Sequence, residues 1–288
     1  MSFQKSHSWV QLDGRWLREH EAMIPVENRG LMYGDGLFET ILYSQGRLIL
    51  IQSHLKRFFL GLKLLKLNLS LSGEHLIELL NAGVEKNDLS KAEVVIRVQC
   101  WREGGRGYAA TTSKAHYYIS FTPLKQHSKS IKEGISLYQS SYTTMPKRAG
   151  EHSLKSSNAL SYVLAASEAV DQGYDDALLL SPDGYIAESS NANIFWIRSN
   201  QLFTPSRACH ILEGTRRLAL IEKIRLLSGY QLFEGEFTTA ELFSSDMVFL
   251  VNSIRGLRPV RIFNETELSI SDDQLVRLSN IYQEAIRN

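Results

Sequence analysis

No apolar run in this sequence approaches the roughly 20 residues that a membrane-crossing helix needs. Cysteine is scarce: Cys100 and Cys209 are the only two. Secreted scaffolds use cysteines in larger even sets, so a reducing cytoplasm is expected and a disulfide framework is not. Charge of one sign is not in excess either. Thirty-two basic residues face thirty-one acidic ones, a formal net charge of +1. A nucleic-acid or membrane surface normally leaves a basic surplus, so neither partner is expected. The first residues, Met1-Ser2-Phe3-Gln4-Lys5, lack the apolar core of a signal peptide. Internal repeats and low-complexity segments are missing as well.

What remains is the composition of a globular protein, 43% hydrophobic and 22% charged over 288 residues. That length allows one large domain or two smaller ones. The chain opens with residues alternating around Asp13-Gly14, which reads as a hairpin. A polar loop leads into Arg29-Gly30-Leu31-Met32-Tyr33-Gly34-Asp35-Gly36, where close-set glycines suggest tight turns. Residues 37–43 then read as a strand that turns back at Ser44-Gln45-Gly46. Helical spacing follows at 54–65, with Leu55, Phe58, Phe59 and Leu62 on one face. A second helix carries Leu76, Leu79, Leu80 and Val84, with Ser72 as its N-cap. Strands at 94–101 and 117–121 flank a polar loop.

The polar stretch 124–130 follows Pro123 and has no apolar period, so it reads as a linker. The expected organisation is α+β in two domains: 1–123, then the linker, then a larger domain at 131–288. The second domain is expected to hold helices at 156–171, 215–227 and 272–286. Strands are expected near 135–138, 177–180, 194–197, 201–203, 247–251 and 258–262.

Single residues say little by themselves. Lys155 is a lysine beside a helix start, and Glu188 reads as a solvated carboxylate. Arg106, in Gly104-Gly105-Arg106-Gly107-Tyr108, is more suggestive. An arginine on a glycine-rich turn can meet a carboxylate or phosphate as a bidentate fork. Gly214-Thr215-Arg216 at a helix start could bind a phosphate through backbone N–H groups and the helix dipole. No metal-ligand pattern is read here.

The joint order of these motifs carries more. From about residue 30 to 260 the chain resembles fold-type IV pyridoxal-phosphate enzymes, the class IV aminotransferases. That family includes branched-chain aminotransferases, D-amino acid aminotransferases and 4-amino-4-deoxychorismate lyases. The resemblance implies the two-domain D-amino acid aminotransferase-like fold, pyridoxal 5'-phosphate as cofactor, a small-molecule amino substrate and a homodimer. Lys155, in Lys-Ser-Ser-Asn-Ala-Leu, matches the cofactor-anchoring and catalytic lysine. Glu188, in Ala-Glu-Ser-Ser-Asn-Ala-Asn-Ile-Phe, matches the acid that pairs with the cofactor's ring nitrogen. Arg57, Thr215, Arg216 and Ser253 match the phosphate-binding set. Tyr33, Glu39, Arg106 and Asn252 match positions that contact substrate.

A lysine amine serves as anchor and then as proton carrier. A carboxylate at the ring nitrogen keeps the ring able to accept electrons. A phosphate handle lets binding far from the reacting carbon fix orientation. Some residues depart from the family pattern. Arg216 stands where the phosphate turn often has threonine. Ala159 stands where branched-chain aminotransferases carry a tyrosine, and Tyr162 lies one helical turn on. The Gly104–Tyr108 motif and Asn252-Ser253 are similar to those of aminodeoxychorismate lyases, which make 4-aminobenzoate and pyruvate on the route to folate. Glu39 points the other way, since some lyases have threonine there and transaminases often have glutamate. The resemblance therefore implies a lyase first, with a branched-chain or D-amino acid aminotransferase as the alternative.

Overall fold

The computed structural model describes residues 8–125, 131–148, 150–226 and 229–287. The chain divides into two compact units. The first takes the described residues up to 125 together with Leu154–Asn158, and the second takes the rest. Most of the linker expected at 124–130 lies outside the described residues.

The N-terminal unit is built on a six-stranded sheet. Its elements are β1 (Trp9–Leu12), β2 (Arg15–Arg18), α1 (Arg29–Tyr33), β3 (Gly36–Ser44), β4 (Arg47–Leu48), α2 (Ile51–Leu64), α3 (Gly73–Lys86), β5 (Val94–Arg102) and β6 (Ala115–Pro123). The strand order is β2-β1-β6-β5-β3-β4, and every pairing is antiparallel. Strand residues alternate between faces. Ile41, Ile96, Ile119 and Phe121 fall in one core with Phe58 and Leu62 of α2 and Leu76 and Leu80 of α3. Ser72 caps α3 as expected, its side chain accepting from the His75 N–H. The glycine-rich turn at 29–36 instead contains a short helix. Asn28 caps it by accepting from the Leu31 N–H, and Gly34 ends it in the left-handed conformation.

The second unit holds β7 (Ile135–Thr143), α4 (Leu160–Asp171), β8 (Asp176–Leu180), β9 (Ile186–Ser189), β10 (Asn193–Arg198), β11 (Gln201–Pro205), α5 (Thr215–Leu226), β12 (Gln231–Gly235), α6 (Ala240–Phe243), β13 (Met247–Asn252), β14 (Gly256–Phe263), β15 (Thr266–Glu267) and α7 (Asp272–Ala285). Its sheet closes on itself. β10, β13, β14, β7, β8 and β9 pair in turn, and β9 returns to β10 through Glu188 opposite Asn193. Along β10, Ile194 and Trp196 enter one core while Phe195 and Ile197 enter another. The second of these cores is shared with Leu220 and Ile224 of α5 and with Leu278 and Tyr282 of α7. Ala165 and Ala169 of α4 pack on Ala177 and Leu179 of β8.

The lysine segment departs from the sequence reading. Lys155 was expected in the C-terminal domain, yet Leu154–Asn158 belongs to the N-terminal unit. Backbone pairing is the cause. Ser156 forms an antiparallel bridge with Leu37, the Phe38 N–H donates to the Lys155 carbonyl at 3.0 Å, and the Ser157 N–H donates to the Gly36 carbonyl at 3.0 Å. The segment thus lies along β3, and α4 begins at Leu160 rather than at 156. No helix among the described residues is long and apolar enough to cross a membrane.

Candidate active site

In the second unit, Glu188 lies in the short strand β9, which the sequence reading did not mark, and it is 5% exposed. A carboxylate buried this far needs hydrogen-bond partners. The Tyr162 hydroxyl donates to Oε1 at 2.7 Å. The Asn193 amide donates to Oε2 at 3.1 Å. The Leu212 N–H reaches both oxygens at 3.0 Å. The Lys147 ammonium stands 3.7 Å from Oε1 and donates to the His210 carbonyl at 2.7 Å. Burial lowers the Lys147 pKa, and the charge of Glu188 opposes that shift. Burial, then the charge of Glu188, pushes the Tyr162 phenol up, so it stays protonated and acts as a donor.

Asn193 also donates to the Leu212 carbonyl at 2.8 Å, so it locks the strand to the segment before α5. The next residue but one in that segment, Gly214, leaves no room for a side chain unless Asn193 moves. A Cβ on Gly214 would lie 2.2 Å from the Asn193 side-chain oxygen. Thr215 then opens α5, and its hydroxyl lies 3.3 Å from the Ser253 hydroxyl. The Arg216 guanidinium donates to the Ser253 carbonyl at 3.0 Å and lies over the Tyr282 ring. The structure therefore brings Thr215, Arg216 and Ser253 together. Asn252 is engaged locally. Its side-chain oxygen accepts from the Ile254 and Arg255 N–H groups, and its amide donates to Asn191 at 2.9 Å. These contacts tie its amide to a turn, which differs from the substrate-facing role expected of it.

In the N-terminal unit, Arg57 of α2 meets Glu39 of β3 as a parallel fork. Nε donates to Oε1 at 2.7 Å and Nη2 to Oε2 at 2.7 Å. His54 lies 2.7 Å from the same Oε2. Burial raises the Glu39 pKa, but the charge and hydrogen bonds of Arg57, with His54, outweigh it and hold the carboxyl at about 2. Glu39 was expected as a substrate contact. Instead it is buried with both oxygens taken, and it fixes the plane of the Arg57 guanidinium.

Tyr33, the last residue of α1, is bonded to the loop that carries Arg106. Arg29, 4% exposed, donates to the carbonyls of Gly105, Gly107 and Tyr108 at 3.1, 2.6 and 3.2 Å. The Gly107 N–H donates to the Tyr33 hydroxyl at 2.9 Å. Gly104 and Gly107 take positive φ, 109° and 94°, which side chains resist. At the loop's base, Asp35 accepts from Arg29 at 2.8 Å and Arg102 at 2.9 Å. Lys155, half-buried, places Nζ 4.5 Å from the centre of the Phe38 ring.

The sequence reading missed Lys147, Asn193 and Leu212 as partners of one carboxylate, and it did not connect Tyr162 to Glu188. No local pattern marks them, because the closure of the sheet assembles them. Arg29 was likewise hidden in a loop motif.

A sheet closed at a buried, multiply bonded carboxylate, with clustered hydroxyls at a helix N-terminus, defines a recognisable class. The chain belongs to the amino-transferase class IV family, whose pattern it matches over residues 36–263. Enzymes of this class work through pyridoxal 5'-phosphate, and that is the cofactor of this chain. The residues fit it. Glu188 is an acceptor that would suit a protonated ring nitrogen, and the Thr215 and Ser253 hydroxyls with the first N–H groups of α5 are donors that would suit a phosphate. Among relatives, the chain is 27% identical to an aminodeoxychorismate lyase of Bacillus subtilis, covering 97% of this chain and 95% of that one. It is 29% identical to a branched-chain-amino-acid aminotransferase of Pseudomonas aeruginosa, covering 91% and 86%. In structure it is similar to a branched-chain aminotransferase of Thermoproteus uzoniensis, with TM-score 0.88 and 26% identity, covering 97% of this chain and 95% of that one. The Escherichia coli branched-chain enzyme shares the fold at TM-score 0.88 and 22% identity, with the same coverage.

Proposed function

We propose that the chain is a 4-amino-4-deoxychorismate lyase, releasing 4-aminobenzoate and pyruvate. The observation that carries this reading is the loop held by Arg29. It sets an arginine fork, Arg106, on a backbone already fixed, in a loop whose Tyr108 ring meets that of Tyr33 at 5.5 Å. A fork on a loop that also carries an aromatic ring suits a cyclic substrate bearing a carboxylate.

The residues then take these roles. Arg57, held by Glu39, with Thr215, Ser253 and the backbone N–H of Arg216, grips the cofactor phosphate. Glu188 accepts from the ring nitrogen. When bound, the cofactor supplies a ring that takes up the electrons of the bond broken at the amine-bearing carbon. Lys155 anchors the cofactor and removes the proton from that carbon. Loss of the neighbouring enolpyruvyl ether as pyruvate leaves an aromatic ring, and aromatisation drives the step. Arg106 holds the substrate carboxylate. A cytoplasmic homodimer is the expected assembly, testable by light scattering.

The alternative, a transaminase using the same Lys155 and Glu188, is favoured by Glu39 and by the 29% identical branched-chain relative. It requires a 2-oxo acid as second substrate. The purified, cofactor-loaded protein is expected to form 4-aminobenzoate from aminodeoxychorismate with no keto acid present. Failure to do so, with conversion of leucine and 2-oxoglutarate to glutamate, would overturn the lyase in favour of the transaminase.

A further inference from the structure

Arg106 is not empty-handed. Its Nη2 lies 2.7 Å from Oε1 of Glu27. The side chains are 77% and 61% exposed, so the pair sits in high-dielectric surroundings and is held weakly. The backbones beneath it are not loose. Glu27 immediately precedes Asn28, which is buried and caps α1. Arg106 lies between Gly105 and Gly107, whose carbonyls accept from Arg29. Arg29 is itself the first residue of α1. Both partners therefore hang from one buried arginine, itself fixed by Asp35. An acid on one arm meets a base on the other because the fold sets the arms.

We propose that Glu27 is an internal competitor for the Arg106 fork, a carboxylate that an incoming ring carboxylate must displace. This rests on the reading of Arg106 as the substrate-carboxylate residue. The physical case is one of exchange. A carboxylate ligand brings to Arg106 the kind of bond Glu27 already makes, so the gain on binding is the difference between the two. Ligands with a second point of hold, such as ring contact with Tyr108 and Tyr33, displace Glu27. A small carboxylate with no ring gains little. Glu27 thus lowers the affinity of every carboxylate that uses Arg106 by the same factor, and only ligands with a second point of hold still bind at low concentration.

The test is the dissociation constant of 4-aminobenzoate, by calorimetry, for the cofactor-loaded protein and its variants. Glu27→Gln keeps the shape and removes the charge, and it should tighten binding about two- to five-fold, the range of an exposed ion pair. Arg106→Met should weaken binding, and adding Glu27→Gln to Arg106→Met should then change nothing. At high salt the gap between wild type and Glu27→Gln should close, because both charges are exposed. If Glu27 merely orders the loop, Glu27→Gln weakens binding, and the proposal is overturned. If Glu27→Gln leaves the constant unchanged while Arg106→Met weakens it, the competition fails but Arg106 keeps its role. If Arg106→Met changes nothing, the reading of Arg106 itself falls, and the proposal with it.

Discussion

The Tyr162 hydroxyl donates a 2.7 Å hydrogen bond to Oε1 of Glu188, joining helix α4 to the strand that closes the second sheet. The bond has a definite direction. The phenol keeps its proton through burial and the neighbouring negative charge, so it acts as donor and the carboxylate as acceptor. Glu188 is thereby held from both sides, by α4 and by the Leu212 segment.

Tyr162→Phe should therefore act through Glu188. The ring and its packing survive, but a charge-assisted bond is lost, worth about 1.5–3 kcal/mol. The low end is expected, since Asn193 and Leu212 still reach the carboxylate. Thermal denaturation checks this, and a variant as stable as wild type would contradict it.

Glu39→Gln addresses the buried fork in the N-terminal unit. The Glu39 carboxyl sits at about 2 against an ordinary 4.5. A depressed folded-state value means the pair stabilises the fold fully above about pH 4.5. That stabilisation fades as pH falls toward about 2. The variant should be less stable than wild type at pH 7 by on the order of 3 kcal/mol. The gap should narrow in acid below pH 4. Urea unfolding at both pH values measures it; a gap independent of pH would show that the ionised carboxylate is not what stabilises the unit.

Gly214→Ala tests a steric requirement. The added Cβ would meet the Asn193 oxygen at 2.2 Å, so Asn193 must move from its bonds to Glu188 and Leu212. Overpacking of this kind costs about 1–3 kcal/mol. Cofactor affinity should fall, read as the concentration of pyridoxal phosphate needed to restore absorbance to the stripped protein. Unchanged affinity would mean that Asn193 does not position Glu188.

The two thiols should be silent in the native state. Cys100 and Cys209 are buried, and burial pushes their pKa values up to about 12 and about 11. A disulfide-exchange reagent should react with neither on the timescale of minutes, and with both after denaturation. Rapid native labelling of either would contradict the burial.

Much of this was legible in the chain itself. Apolar spacing located α2 and α3, since a helix facing a core repeats every three to four residues, and α5 and α7 lie within a residue of the ranges expected for them. The motifs around Lys155 and Glu188 named the cofactor because each is short and contiguous. What escaped depends on contacts between distant segments. β9 is too short to show a pattern, and its closure against β10 is set by pairing, not by local propensity. For the same reason Lys155 read as lying beside a helix start in the second domain, when strand pairing with β3 places it in the other unit. Glu39 read as a substrate contact because its partners, His54 and Arg57, lie on the next helix and only the fold brings them near.

The assignment of Lys155 as cofactor anchor has a direct test, because the second unit offers a rival. Lys147, half-buried, stands 3.7 Å from Glu188, and its burial lowers its pKa. Borohydride reduction of the cofactor-loaded protein fixes the cofactor to whichever lysine holds it, and peptide mass mapping then finds it. The account predicts the phosphopyridoxyl mass on the peptide containing Lys155, and its loss from that position in Lys155→Ala. A label on Lys147, or no label on a protein whose absorbance shows bound cofactor, would contradict it.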